Sequence, residues 1–135
     1  MNTVAIHEAA AATLAGTMPF PEIVAKLIAA GVEYYQVDYV GRIKQFHDGS
    51  GAYVSTAITY ENLPTVASEL DIDALRANIR DSQLNNQPYR DFTIRAMDAG
   101  VQAYYAFLRG RRVTYFGRNG DQHTEWFPGA GPKTD

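Results

Sequence analysis

A chain of 135 residues, 46% hydrophobic and 20% charged, has the length and balance of one globular domain that buries its own core. A net charge of −3 gives no general attraction to phosphate backbones or anionic lipid, so neither nucleic acid nor membrane is an expected partner. The lack of cysteine excludes disulfides, thiolate chemistry and cysteine-ligated zinc, while an aromatic content of 12%, with nine Tyr, is generous for a small core and directs attention to a surface or pocket.

The N-terminal stretch "MNTVAIHEAAAATLAGTM" is Ala-rich, but it has no basic leader, and His7 and Glu8 interrupt its apolar run. It reads as a helix and not as a signal peptide, which makes the cytoplasm the expected location. Phe20, Ile23, Val24, Leu27 and Ile28 then recur at helical spacing behind Pro21, and Gly31 stops the run. Three strands separated by short Gly turns follow. Residues 59–70 link to a second helix, "IDALRANIRDSQL", with Asp71 or Asp73 as its N-cap. The next helical run passes from Tyr89 through Phe92, Ala96 and Ala99 to a stop at Gly100, and three more strands follow. Residues 129–135 read as a flexible tail.

The two halves repeat. "AAGVEYYQVDYVGR" at 29–42 matches "DAGVQAYYAFLRGR" at 98–111, and an offset of 69 aligns 20–58 with 89–127 without a gap. Gly31, Gly41 and Gly51 meet Gly100, Gly110 and Gly120, which are expected where the backbone needs positive φ. The fold class is therefore α+β: an α-α-β-β-β unit present twice, about 1–58 and 70–127, within one domain of 1–128. The strands are expected in one antiparallel sheet with the helices packed on one face.

Reading Asn119-Gly120 as a two-residue hairpin turn places Phe116 opposite His123, Thr114 opposite Glu125 and Val113 opposite Trp126. An Arg109-Gly110 turn places Tyr104 opposite Tyr115. Alternation then predicts a core face of Tyr104, Ala106, Leu108, Val113, Tyr115 and Trp126. The other face is predicted to carry Tyr105, Phe107, Arg112, Thr114, Phe116, His123, Glu125 and Phe127. In the first copy the same register sends Tyr35, Val37, Tyr39 and Phe46 to the core, and Tyr34, Gln36, Asp38, Gln45, His47 and Thr56 to the second face.

That second face is the candidate site: His123, Glu125, Asp38, Tyr34 and Tyr105 as ligand-binding residues, with Arg118 orienting an anionic group. His123 and Glu125, two apart on a strand, suit acid–base work or metal ligation, and equally a solvated charge pair. No HxxxH or HExxH spacing supports a metal, so none is assigned, and no cofactor is implied. The aromatic face could hold a small anionic or aromatic ligand; the alternative is a non-enzymatic module that homodimerises, or docks a phage or host protein, through the same face. Catalysis ranks behind both, because no nucleophile with an adjacent base and no phosphate loop can be read.

"FPEIVAKLIAAGVEYYQVDY" together with "YFGRNGDQHTEWFP" resembles the YbcV-like family of small bacterial and prophage proteins, over about residue 15 to Pro128. Tyr35, Val37, Asp38 and Tyr39 match one family block; Gly117, Arg118, Gly120, His123, Glu125, Phe127 and Pro128 match the other. Some members carry the label phage envelope protein, so the resemblance implies a prophage-related protein with no established activity.

Overall fold

Asn2 opens the first helix: its side-chain oxygen accepts the Ala5 N–H at 3.1 Å, and α1 (Thr3–Ala15) ends where Gly16 turns left-handed at φ 69°. Pro21 lies in the first turn of α2 (Phe20–Ala29), where its missing N–H leaves no helical bond unmade. This computed structural model describes residues 1–132. The strands β1 (Tyr34–Asp38), β2 (Ile43–His47) and β3 (Tyr53–Ala57) complete the first half. The second half comprises α3 (Ile72–Asn85), α4 (Tyr89–Asp98), β4 (Val101–Phe107), β5 (Arg112–Gly117) and β6 (Gln122–Trp126). A helix pair followed by three strands thus occurs twice. Asp71, not Asp73, caps α3, its carboxylate accepting the Ala74 N–H at 3.0 Å.

All six strands form one antiparallel sheet in the order β3-β2-β1-β4-β5-β6. The halves join where β1 pairs with β4 and Gln36 faces Tyr105, its own counterpart at the 69-residue offset. Equivalent residues are therefore disposed symmetrically about that pair. The registers within each half also correspond: Tyr35 pairs with Phe46 and Phe46 with Val54, as Tyr104 pairs with Tyr115 and Tyr115 with His123. Tyr35, Val37, Tyr39, Phe46, Tyr104, Ala106, Val113 and Tyr115 are buried against Ile6, Ile23, Leu27, Leu75, Phe92 and Met97 of the helices. Fully burying a side chain such as Leu27 or Leu75 contributes roughly 1.5–3 kcal/mol, so this interface between sheet and helices dominates stability. Tyr34, Gln36, Gln45, His47, Tyr105 and Phe107 alternate onto the uncovered face, as predicted.

Two expectations are corrected. Gly31, Gly51, Gly100 and Gly120 do have positive φ, but at the remaining glycine pair the left-handed residues are the next ones, Arg42 at φ 58° and Arg111 at φ 59°. Gly41 is needed for space instead: a Cβ there would lie 2.6 Å from Oδ2 of Asp38. The second correction concerns the β5–β6 hairpin. Gly120 N–H donates to Gly117 C=O at 3.2 Å and Gly117 N–H to Asp121 C=O at 2.8 Å, with Gly120 left-handed and Asn119 not. The loop therefore has three residues, 118–120, a tight turn closed by a glycine bulge, because a two-residue turn of the Asn-Gly type needs positive φ at both positions. That single extra residue moves β6 by one and turns every side chain on it over. His123 and Glu125 oppose Tyr115 and Val113 on the helix-covered face, and Trp126 opposes Arg112 on the open one. Phe127 likewise packs on the core side, and Thr56, opposite Lys44 in β3, follows the same correction.

The link over 59–70 is held down: Val66 is buried, Ala67 N–H donates to Met97 C=O at 3.0 Å, and Tyr60 O–H donates to Leu14 C=O at 2.7 Å. Of the tail expected at 129–135, Ala130 N–H donates to Phe127 C=O at 2.9 Å; residues 133–135 lie outside the described residues.

Candidate functional site

Period-two alternation puts an aromatic strip across the open face of five neighbouring strands. The His47 ring stacks on Tyr34 at 4.7 Å with planes 5° apart, and on Tyr53 at 5.8 Å. Tyr34 continues to Phe107 at 6.3 Å, Phe107 to Tyr105 at 5.8 Å, and Tyr105 meets Phe116 edge-on at 5.9 Å. Nε2 of His47, buried between its neighbours, has no hydrogen-bond partner among the described residues. Beside the strip Arg112 lies over the Trp126 ring at 4.5 Å, a cation–π contact. An open depression of about 630 Å³ is lined by Tyr34, Phe107, Arg112, Thr114 and Thr124, with Glu33 and Arg109 at its rim. Arg109 reaches Glu33 at 3.2 Å, but its side chain is 85% exposed, so this ion pair adds little stability and leaves the guanidinium free to turn.

The six residues singled out from sequence do not converge. Tyr34 and Tyr105 are on the open face, on the adjoining strands β1 and β4, where Tyr34 faces Phe107 and Tyr105 faces Gln36. Asp38 belongs to that face as well, but its Oδ1 accepts the N–H groups of Val40 at 3.0 Å and Gly41 at 2.9 Å, so the carboxylate shapes the β1–β2 turn. His123 and Glu125 do meet, Nε2 to Oε2 at 2.8 Å, but on the helix side of edge strand β6 and thus across the sheet from Tyr34 and Tyr105. Arg118 sits in the β5–β6 loop and donates to Val66 C=O at 3.2 Å, anchoring the link between the halves. Among the described residues no three His, Asp or Glu side chains group as ligands for a metal ion.

A further cluster escaped the sequence reading. Lys44 is 3% exposed, its Nζ 4.1 Å from the centre of the Tyr89 ring. Among the described residues no carboxylate lies within ion-pair distance of it. Burial without a counter-charge pushes its ammonium down to about 7. Tyr35 lines the same small cavity as Lys44, Tyr89 and Tyr104 share a hydroxyl–hydroxyl bond of 2.6 Å, and burial raises the pKa of Tyr35, Tyr39, Tyr89 and Tyr104. The Thr56 hydroxyl is buried and has no hydrogen-bond partner among the described residues. Phe46 on the core face was enough to predict this, since strand alternation carries Lys44 to the same side.

Fold and faces define an α+β protein with four helices on one side of a six-stranded antiparallel sheet and an aromatic strip on the other. The chain belongs to the DUF1398 family, described as proteins of unknown function, whose family model matches residues 9–124. No curated protein matches it. Among the described residues no helix is long and apolar enough to cross a membrane.

Proposed function

We propose that the open sheet face binds a small planar ligand carrying an anionic group. The observation that carries this reading is the juxtaposition of a continuous aromatic strip with Arg112 and Arg109 at one shallow depression. Tyr34, Phe107 and Tyr105 would supply ring faces, which stack on any planar group at little conformational cost. Arg112 would pair with the anion while its stem rests on Trp126. Asp38, His123, Glu125 and Arg118 do not enter this site: the first and last are held in turns, and the dyad lies across the sheet. Within DUF1398 we place the chain beside the YbcV-like proteins, as a prophage-related cytoplasmic protein, on the two sequence blocks that carry that resemblance.

The probe is 8-anilinonaphthalene-1-sulfonate, a planar anion, with amide shifts followed by NMR. Saturable shifts should centre on Tyr34, Phe107 and Thr114. Arg112→Ala and Phe107→Ala should each weaken binding about tenfold, as expected for a lost charge-assisted contact or buried ring, with His123→Ala neutral. Shifts confined to the helices, or unaffected by both substitutions, would end the proposal. A second reading, homodimerisation through the same face, is favoured by Tyr53, which is 60% exposed at the outer strand β3. Analytical ultercentrifugation at micromolar concentration separates the two, and a Tyr53→Asp variant that stays dimeric would exclude this face as the interface.

A further inference from the structure

We propose that Asn119 is a site of spontaneous deamidation, and that the carboxylate it yields faces Glu69 and releases the β5–β6 turn from the link between the two halves. The site lies in the β5–β6 loop and is independent of the reading given for the open sheet face.

The chemistry follows from the residues of the turn. Asn119-Gly120 is the chain's one Asn-Gly pair. Glycine has no Cβ to hinder its own nitrogen, so the Gly120 nitrogen can approach the side-chain carbonyl carbon of Asn119 with least obstruction. Both residues are exposed, and a Cβ built on Gly120 would meet nothing within 4 Å, so the loop has room to rearrange in contact with water. Gly120 N–H donates to Gly117 C=O at 3.2 Å, a long bond that any opening of this turn breaks.

Once it has lost its proton to solvent, the Gly120 nitrogen bonds to Cγ of Asn119 as the carbonyl π bond breaks. The Cγ–Nδ2 bond then breaks as the carbonyl re-forms, and the amide nitrogen leaves as ammonia with a proton from solvent. Water opens the resulting cyclic imide at either carbonyl, giving aspartate by one route and isoaspartate, with the main chain running through Cβ, by the other. Asparagine and water go to a carboxylate and ammonium, with no oxidant or reductant consumed.

The contacts of Asn119 set the consequence. Its Nδ2 donates to Glu69 Oε2 at 3.2 Å and to Ser68 C=O at 3.4 Å. Beside it Arg118 donates to Val66 C=O at 3.2 Å, and Gly117 lies so near the link that a Cβ there would be 2.9 Å from Cβ of Leu70. The turn is thus clasped to residues 66–70. That segment is held in turn by Ala67 N–H to Met97 C=O at 3.0 Å and, just beyond it, by Asp71 N–H to Ala99 C=O at 2.8 Å. Deamidation removes both Nδ2 contacts, because a carboxylate only accepts. It also sets a second negative charge against Glu69 in a chain whose net charge is already −3. Isoaspartate further lengthens the main chain of a tight loop. The first half has no counterpart: Ser50 stands 69 positions before Asn119, and its hydroxyl donates within its own turn to Asp48 at 2.8 Å.

The folded full chain is held at mildly alkaline pH and its peptides are followed by mass spectrometry. The peptide containing Asn119 should become about one dalton heavier and resolve into aspartate and isoaspartate forms, ahead of the exposed Asn62 and Asn86. Asn119 still intact after either of those has converted would overturn the assignment. The release is read on Asn119→Asp, which carries the product's charge. Amide exchange at Ala67 and Asp71 should speed up about fivefold, the scale of one exposed charge contact, and by less at high salt. Adding Glu69→Gln should restore the original rate. The aged wild-type chain should show the same acceleration, so the outcome does not hinge on the variant folding. Unchanged exchange in both the variant and the aged chain, or fast exchange that Glu69→Gln fails to slow, would overturn the release.

Discussion

A buried lysine without a described counter-charge ties the stability of the fold to pH. In the unfolded chain Lys44 titrates near 10.5, and in the fold at about 7. Below the lower value both states are protonated, so the full cost of burying the charge is present; between the two, the unfolded state holds more protons, and stability rises with pH. The gain across that window is on the order of 4 kcal/mol. The tyrosines act in the opposite direction above pH 10: burial lifts Tyr39 to about 12, so the unfolded chain ionises first and the fold loses stability there. Urea unfolding should therefore show stability increasing from pH 7 to about pH 9.5, with Lys44→Met more stable at pH 7 and nearly flat over the same range. A wild-type profile as flat as that of the variant would mean that Lys44 is solvated. This lysine was legible in the sequence as a position, two residues before a core phenylalanine. Its lack of a partner was not, since that depends on which helix residues face it.

At the level of elements, matching positions in the two halves carry unequal constraints. Gly31 and Gly100 both end a helix at nearly the same dihedral, φ 94° and 93°. A Cβ on Gly31 would meet only the Met1 backbone at 3.6 Å, an ordinary contact, whereas on Gly100 it would lie 2.2 Å from the Glu69 carbonyl oxygen. Gly31→Ala should therefore cost about 1–2 kcal/mol, the strain of a left-handed alanine. Gly100→Ala should cost more than about 4 kcal/mol, because backbone must also move. Denaturation of the two variants side by side measures the difference, and equal losses would show that the link between the halves does not press on α4's end. The repeat revealed both glycines but not this asymmetry, which arises from a linker that only the second copy has in front of it. The strand faces have a similar history. β1, β2, β4 and β5 were readable because their alternation is tied to buried Tyr and Phe on both sides of each turn. β6 was misread because Asn119-Gly120 suits either a two-residue or a three-residue loop, and the polar residues His123, Thr124 and Glu125 carry no apolar alternation to choose between them. Two of the six candidate site residues, His123 and Glu125, changed face through that one-residue ambiguity.

Across the whole molecule the halves are fused through their central strands. Tyr39 N–H donates to Gln102 C=O at 2.9 Å and Leu108 N–H to Glu33 C=O at 3.0 Å, extending the β1–β4 ladder at both ends. Beneath it the Tyr104 ring approaches Tyr39 at 5.8 Å and Tyr35 at 6.4 Å, and Phe20 of α2 meets Phe127 beyond β6 edge-on at 5.8 Å. Unfolding either half alone would expose the apolar side of a central strand and leave its backbone groups without partners, which costs more than the remaining half could recover. The chain should thus unfold in one cooperative step. Trp126, the only tryptophan, reports on β6 at one edge of the sheet, while far-ultraviolet ellipticity reports on all four helices. The two signals should give coincident urea midpoints. The sharper test is Phe46→Ala, which removes a buried ring from β2 in the first half and should cost roughly 3–5 kcal/mol. If the fold is one cooperative unit, the Trp126 midpoint falls as far as the ellipticity midpoint although the residue replaced lies four strands away. A tryptophan transition that stays in place while part of the ellipticity melts early would instead identify each half as a folding unit of its own.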